Sequence, residues 1–230
     1  MNLKAYITNI EPLGDEGLFK SLYDLMPEYR KEKIDRIKSE SDKRRSIAAG
    51  ALLLYGARLL GLSKLPTVET GEKGKPYFKD SSVYFNLSHS GDKVLCVIGD
   101  TEAGCDIENL NRKYDTNVAK RFFSSSEVKA LEETTNEDEK KELFFKLWTL
   151  KESFVKLKGD GLSRALDSFS FKESCGKIVL ACEDGEDDCR FVNRFTDDNY
   201  CYSVAFKGDL EDIEAEHLDI EKIRNYLYEA

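Results

Sequence analysis

Asp106 and Glu108 stand two residues apart in GCDIEN, inside a run that otherwise reads as a buried strand, and Glu152 follows in WTLKESFVK. If GCDIE is a strand, its period of two puts Asp106 and Glu108 on one face and Cys105 and Ile107 on the other. Neighbouring carboxylates repel and raise each other's pKa unless a cation lies between them. A divalent ion is the simplest remedy. Oxygen ligands with no His or Cys beside them favour magnesium, which commonly takes one or two carboxylates, several waters and substrate phosphates. The competing reading is two acids facing water at a sheet edge.

WTLKESFVK weighs against that second reading. At helical spacing Trp148, Glu152 and Lys156 fall at i, i+4 and i+8, so acid and amine share the stripe that holds Trp148. Glu before Lys at this spacing is also an ordinary surface salt bridge, but a stripe committed to the core by Trp148 leaves that explanation less room. FNLSHSG places His89 in a turn after a strand, between Ser88 and Ser90, where an imidazole meets a phosphate or a backbone group. In GKP, Lys75 lies in a loop restricted by Pro76, a setting that suits an anion.

The elements that must position these residues follow from pattern. YITNI opens as a short strand, and Leu18, Leu22 and Leu25 repeat at helical spacing. Residues 42–60, rich in Ala and Leu, read as a largely buried helix ended by Gly61, with Gly50 and Gly56 there for close packing. Val83, Phe85 and Leu87 alternate, and VLCVIGD is a continuous apolar run, so these are adjacent strands joined by a turn at HSGDK. Ser124 and Glu127 form a capping box, and an amphipathic helix runs from about 138 to 158 with Leu143, Phe144, Leu147, Trp148 and Val155 as its apolar stripe, stopped at Gly159. DSFSFKE, KIVLAC, RFVNRF and YCYSVAF read as strands, EDGEDD as a solvated loop and EKIRNYLYEA as a short terminal helix. Helix-rich then strand-rich order occurs twice, which predicts an α+β fold of two halves, residues 1–104 and 105–230, of similar plan.

Composition bounds the function. A net charge of −9 argues against a nucleic-acid binder held by phosphate neutralisation, although residues 30–45 hold eight Lys or Arg against four acids, a basic island in an acidic chain. No apolar run reaches the roughly 20 residues that cross a bilayer, and the first residues are too polar for a secretory signal, so a cytoplasmic protein without a membrane partner is expected. Six cysteines without a CxxC pair, and only two histidines, supply zinc poorly; Cys96 and Cys105 read as reduced core thiols.

Taken in order, GKP, FNLSHSG, GCDIE, FFSSSE and WTLKESFVKLKGDGL resemble the 4′-phosphopantetheinyl transferases, specifically the larger, surfactin-synthetase-activating (Sfp) type. The resemblance spans residues 74–162, with weaker likeness in the basic helix at 42–50; the chain beyond about 165 carries no motif of the family. It implies two pseudo-twofold-related α+β halves with the active site in the cleft between them, the first half making the coenzyme A nucleotide contacts and the second carrying the magnesium ligands and catalytic helix. It implies transfer of phosphopantetheine from coenzyme A to a serine of an apo acyl or peptidyl carrier protein, the holo-[acyl-carrier-protein] synthase activity, with Mg2+ and release of adenosine 3′,5′-bisphosphate. By position, Asp106, Glu108 and Glu152 match the acids that hold magnesium, and Lys156 matches a lysine at the phosphates near the scissile bond. Lys75, Ser88 and His89 match positions near the nucleotide; Arg45, or Arg44 in its place, matches a base that meets the 3′-phosphate; and Lys33 aligns as a further contact after a shift of about one residue. Glu152 is the candidate general base because it lies on a different element from the other two acids. One chain holding both halves suggests a monomer. Two rival readings are a non-catalytic coenzyme A or carrier-binding module and a magnesium-dependent phosphohydrolase.

Overall fold

Side-chain caps from Asp15, Ser39, Asp115, Ser124 and Asn136 set where five of the helices begin, and the alternation of apolar residues sets which face each strand buries. The structure, a computed structural model, describes residues 2–174, 176–182 and 188–229, leaving aside the side chains of Leu162 and Cys182. The first part of the chain forms β1 (Leu3–Asn9), α1 (Glu16–Leu25), α2 (Glu28–Arg36), α3 (Glu40–Leu59), β2 (Val68–Thr70), β3 (Pro76–Phe78), β4 (Tyr84–Ser90) and β5 (Lys93–Gly99). The rest forms β6 (Ala103–Asn109), α4 (Thr116–Phe122), α5 (Ser125–Glu133), α6 (Glu137–Lys158), β7 (Phe169–Ser174), β8 (Lys177–Cys182), β9 (Cys189–Thr196), β10 (Tyr200–Lys207), β11 (Ala215–Leu218) and α7 (Ile220–Glu229). The α+β class expected from the sequence is what the chain adopts. Cys175 and the acidic run 183–187, expected as a solvated loop, lie outside the described residues.

Two sheets carry the molecule, ordered β11-β1-β5-β4 and β6-β10-β9. Period two distributes their side chains into layers. Leu3, Ala5, Ile7, Leu95 and Val97 of the first sheet meet Cys105, Ile107, Tyr202 and Val204 of the second in one apolar cluster. The opposite residues of the first sheet, among them Tyr6, Cys96 and Ile98, pack with Ile47, Leu52 and Leu53 of α3. The outer face of the second sheet receives α6, whose Phe144, Phe145, Leu150 and Phe154 join Cys201 and Ala205. The order is therefore helix, sheet, sheet, helix, and each large apolar side chain buried between layers contributes roughly 1.5–3 kcal/mol.

Several sequence signals act as read. Ser124 and Glu127 make the reciprocal capping box at the start of α5, and Gly159, at φ +71, ends α6 in the left-handed conformation. Gly50 and Gly56 are packing glycines: a Cβ would stand 2.3 Å from the Met26 sulfur at the first and 2.6 Å from Ile98 at the second. α3 starts two residues earlier than the apolar pattern suggests because Ser39 caps it, accepting from the Asp42 amide at 3.4 Å.

Other features depart from the sequence reading. The basic island contains a separate helix, α2, whose buried residues are Arg30 and Ile34. β11 was not anticipated; it pairs in parallel with β1, Ala5 opposite Ala215, and α7 then packs Ile220, Ile223 and Leu227 into the α3 cluster. Residues 215–229 therefore return to the first sheet, because a short strand at that end covers an edge that β1 otherwise presents to water. Cys96, Cys105 and Cys201 are free and buried, and Cys189 is buried.

Candidate active site

The middle of β6 is built against the backbone of α6. A Cβ on Gly104 would lie 2.2 Å from both the Ser153 carbonyl oxygen and the Leu157 amide nitrogen, so the glycine lets the helix rest on the strand. Asp106, one residue pair further on, projects toward that helix. Its Oδ1 accepts from Lys156 Nζ at 2.6 Å and from Ser88 Oγ at 2.7 Å, while Lys156 also donates to Ser88 at 3.0 Å. Its Oδ2 is buried and, among the described residues, has no hydrogen-bond partner. Burial disfavours the Lys156 ammonium, but the Asp106 carboxylate, with support from Glu152, outweighs it and raises the pKa above 10.5.

β4 supplies the second wall, by the same period of two. Asn86, Ser88 and Ser90 face β6, where Asn86 Oδ1 accepts from the Cys105 amide at 2.9 Å and Ser90 Oγ accepts from the Asn109 amide at 3.1 Å. Side chains thus satisfy the edge of β6 that pairs with no strand among the described residues. Glu108 Oε2 takes two donors, Ser90 Oγ and Arg112 NH1, each at 2.6 Å.

Glu152 enters from α6. It is half-buried, and burial first, then the Asp106 and Glu108 carboxylates, push its pKa above 4.5 against the partial offset of Lys156. The three acids expected to act together therefore share one electrostatic neighbourhood. Among the described residues, however, no three acid, His or Cys side chains are gathered closely enough to grip an ion as they stand. The reason is visible in the contacts: Asp106 is turned to Lys156 and Glu108 to Arg112.

A cavity of about 500 Å3 opens beside these residues, lined by Lys75, Leu87, Arg121, Phe122, Glu152 and Lys156 among others. Its polar lining is predominantly basic, which suits an anionic ligand. Lys75 plays a structural part that its loop position did not disclose. Its Nζ donates to the Leu157 carbonyl at 2.9 Å and lies 3.4 Å from the Ala103 carbonyl, tying the β2–β3 turn to the last turn of α6, and burial lowers its pKa below 10.5.

His89 is not in a turn. It belongs to β4, and the turn is Gly91 and Asp92, so period two sends His89 to the face opposite Ser88. There it lies in the field of Arg45; partial burial, then Arg45 and Lys156, lower its pKa below 6.5 and favour neutral imidazole at pH 7. Arg45 Nε donates to the Gly91 carbonyl at 2.8 Å, so helix α3 and the β4–β5 turn are joined at this point. Arg44 lies against Gly14 instead, and Lys33 is exposed on α2; among the described residues neither is hydrogen-bonded or ion-paired to the other candidates.

Sequence reasoning missed Ser90, Arg112, Arg121 and a buried ion pair under the cavity wall. Lys151, fully buried, donates to Glu127 at 2.8 Å, to the Leu166 carbonyl at 2.8 Å and to the Phe169 carbonyl at 2.7 Å. Glu127 in turn accepts from the Phe171 amide at 3.0 Å and from Ser124. Burial lowers the Lys151 pKa, and Glu127 opposes the change. The one available signal was the capping box, whose glutamate serves both purposes.

A model of the 4′-phosphopantetheinyl transferase superfamily matches residues 102–205, the stretch that holds all three acids and Lys156. The chain is 32% identical to the 4′-phosphopantetheinyl transferase psf-1 of Bacillus pumilus, over 98% of its own length and 97% of that protein's. It is 33% identical to the 4′-phosphopantetheinyl transferase Sfp of Bacillus subtilis (strain 168), over 84% and 87%. The crystal structure of the Thermotoga maritima holo-[acyl-carrier-protein] synthase aligns with 47% of this chain and 64% of its own, at 21% identity and a TM-score of 0.39. The chain belongs to the 4′-phosphopantetheinyl transferase superfamily, with the Sfp-type enzymes, and is a phosphopantetheinyl transferase.

Proposed function

We propose that the donor is coenzyme A, that magnesium is required, and that a serine oxygen of an apo carrier attacks the β-phosphorus while adenosine 3′,5′-bisphosphate leaves. The observation that carries this reading is Asp106 Oδ2, a buried acceptor with no hydrogen-bond partner among the described residues, on a carboxylate whose charge reaches Glu152, which lines the basic cavity. A buried carboxylate oxygen without a donor is costly, and an oxygen-only donor set suits a hard cation. Asp106, Glu108 and Glu152 are the residues that would hold magnesium. When bound, the ion supplies charge neutralisation on the pyrophosphate.

Lys156, half-buried and kept protonated by Asp106, presents its ammonium to the phosphates next to the bond that breaks. Glu152 takes the proton of the serine hydroxyl, and its raised pKa brings its basicity closer to working pH. Ser88 orients both Lys156 and Asp106. Arg45, with Arg44, Lys33, Lys75 and His89, forms the nucleotide side of the site, and neutral His89 offers one donor and one acceptor there.

The test is incubation of the protein with coenzyme A and an apo carrier, with and without magnesium, read as the mass gain of the carrier. Asp106→Asn should remove the gain at every magnesium concentration while circular dichroism stays native. Full modification by the variant, or by wild type in excess chelator, would reject the metal role; coenzyme A binding without any mass gain by wild type would reject the reaction.

A further inference from the structure

We propose that Arg112 is a built-in counter-ion for Glu108 that a divalent cation must displace, so that this arginine sets the cation affinity of the acid cluster. The inference rests on the reading of Asp106, Glu108 and Glu152 as the ligands. Among the described residues two protein cations touch those acids, and they differ in how tightly they are held. Lys156 is pinned: its side chain is 29% exposed and it bonds to both Asp106 and Ser88. Arg112 is 55% exposed against 11% for Glu108, and among the described residues Glu108 is its one side-chain partner.

An exposed guanidinium can leave its carboxylate for water at small cost, whereas a half-buried ammonium held by both a buried carboxylate and a buried hydroxyl leaves less easily. Glu108 would not be released with it, because Ser90 Oγ donates to the same Oε2 atom and holds the carboxylate toward the site. The arrangement is local: Arg112 follows Glu108 by four residues, and its amide bonds back to the Asn109 carbonyl at 3.3 Å, so the arm swings from a fixed turn. That turn leads into α4, whose Arg121 and Phe122 line the cavity, which places the displaced arginine on the segment that borders the incoming substrates. Arg112 and a cation therefore compete for one oxygen pair, and the pair as found explains why the acids are not gathered into a cage.

The experiment titrates Mn2+ into the chelator-treated full-length protein and reads free ion by electron paramagnetic resonance, with no carrier and no turnover. Arg112→Ala should bind Mn2+ about fivefold tighter than wild type, the change expected from losing one exposed ion pair. Arg112→Lys should fall near wild type, and Lys113→Ala, which removes an adjacent charge that does not touch Glu108, should change affinity less than about twofold. Unchanged or weaker binding by Arg112→Ala, or an equal gain by Lys113→Ala, overturns the proposal. Asp106→Asn separates the two layers of the argument. If it leaves Mn2+ binding intact, the ligand assignment fails and the counter-ion role with it; if it removes binding while Arg112→Ala gains nothing, only the counter-ion role fails.

Discussion

Gly104 and Leu157 are in backbone contact, so close that a Cβ on the glycine would stand 2.2 Å from the leucine amide nitrogen. That approach is what brings Lys156, the neighbour of Leu157, within 2.6 Å of Asp106. Gly104→Ala should therefore push α6 away from β6. Overpacking of this kind costs about 1–3 kcal/mol, and a shift of even 1 Å at the reacting groups costs on the order of a hundredfold in rate. The urea midpoint and the carrier modification rate measure the two effects. An unchanged rate would mean that the helix does not need this contact to place Lys156.

The raised pKa of Glu152 has a sign that can be tested on stability alone. A carboxyl whose folded pKa lies above its unfolded value binds a proton more readily when folded, so its ionisation opposes folding once pH rises past the unfolded value of about 4.5. Glu152→Gln should be more stable than wild type at pH 7 to 8, and the difference should shrink to nothing as pH falls below about 4. Denaturant titrations across that range decide it. A difference that grows toward acid pH would contradict the environment assigned to this residue. The same variant should lose transfer activity if Glu152 is the base.

Lys151 and Glu127 form a buried pair whose other bonds reach the Leu166 and Phe169 carbonyls and the Phe171 amide. Breaking such a pair on one side leaves a buried charge alone, so Lys151→Met should cost about 3–5 kcal/mol. Glu127→Gln combined with Lys151→Met should recover part of that loss, as a double-mutant cycle in guanidinium would reveal. Leu166 lines the cavity, so the single variant should also raise the KM for coenzyme A. Additive losses in the cycle would show that the two side chains are not coupled.

Arg45 is committed through Nε to the Gly91 carbonyl and through NH1 to Asp42 and Ser41. If it also meets the 3′-phosphate, Arg45→Ala should weaken coenzyme A by about tenfold more than the 3′-dephospho analogue, the worth of one charge-assisted hydrogen bond. Equal weakening of both ligands in calorimetry would assign Arg45 to holding the β4–β5 turn instead.

Much of this site was legible before folding was considered. The period of two in GCDIE placed Asp106 and Glu108 together and sent Cys105 and Ile107 to the core between the sheets, where both are found. The spacing of Trp148, Glu152 and Lys156 placed acid and amine on one helix face. The capping box at Ser124, the stop at Gly159 and the packing glycines of α3 were readable because each acts on its immediate neighbours. His89 was misplaced for a local reason: Ser-His-Ser resembles a turn in composition, yet β5 draws the segment into a strand by pairing His89 with Val94. β11 was missed because a four-residue strand carries little pattern of its own and forms by pairing with β1 far away in sequence.

Local periodicity thus determined which side chains share a face, since that depends only on the geometry of one element. The tertiary structure decided which partner each of them meets. Asp106 took Lys156, Glu108 took Arg112 and Ser90, and Lys75 went to the end of α6, because hydrogen-bond and ion-pair partners are chosen by distance after the layers pack. A short-range code cannot carry that choice when the bond runs between segments 50 or 82 residues apart.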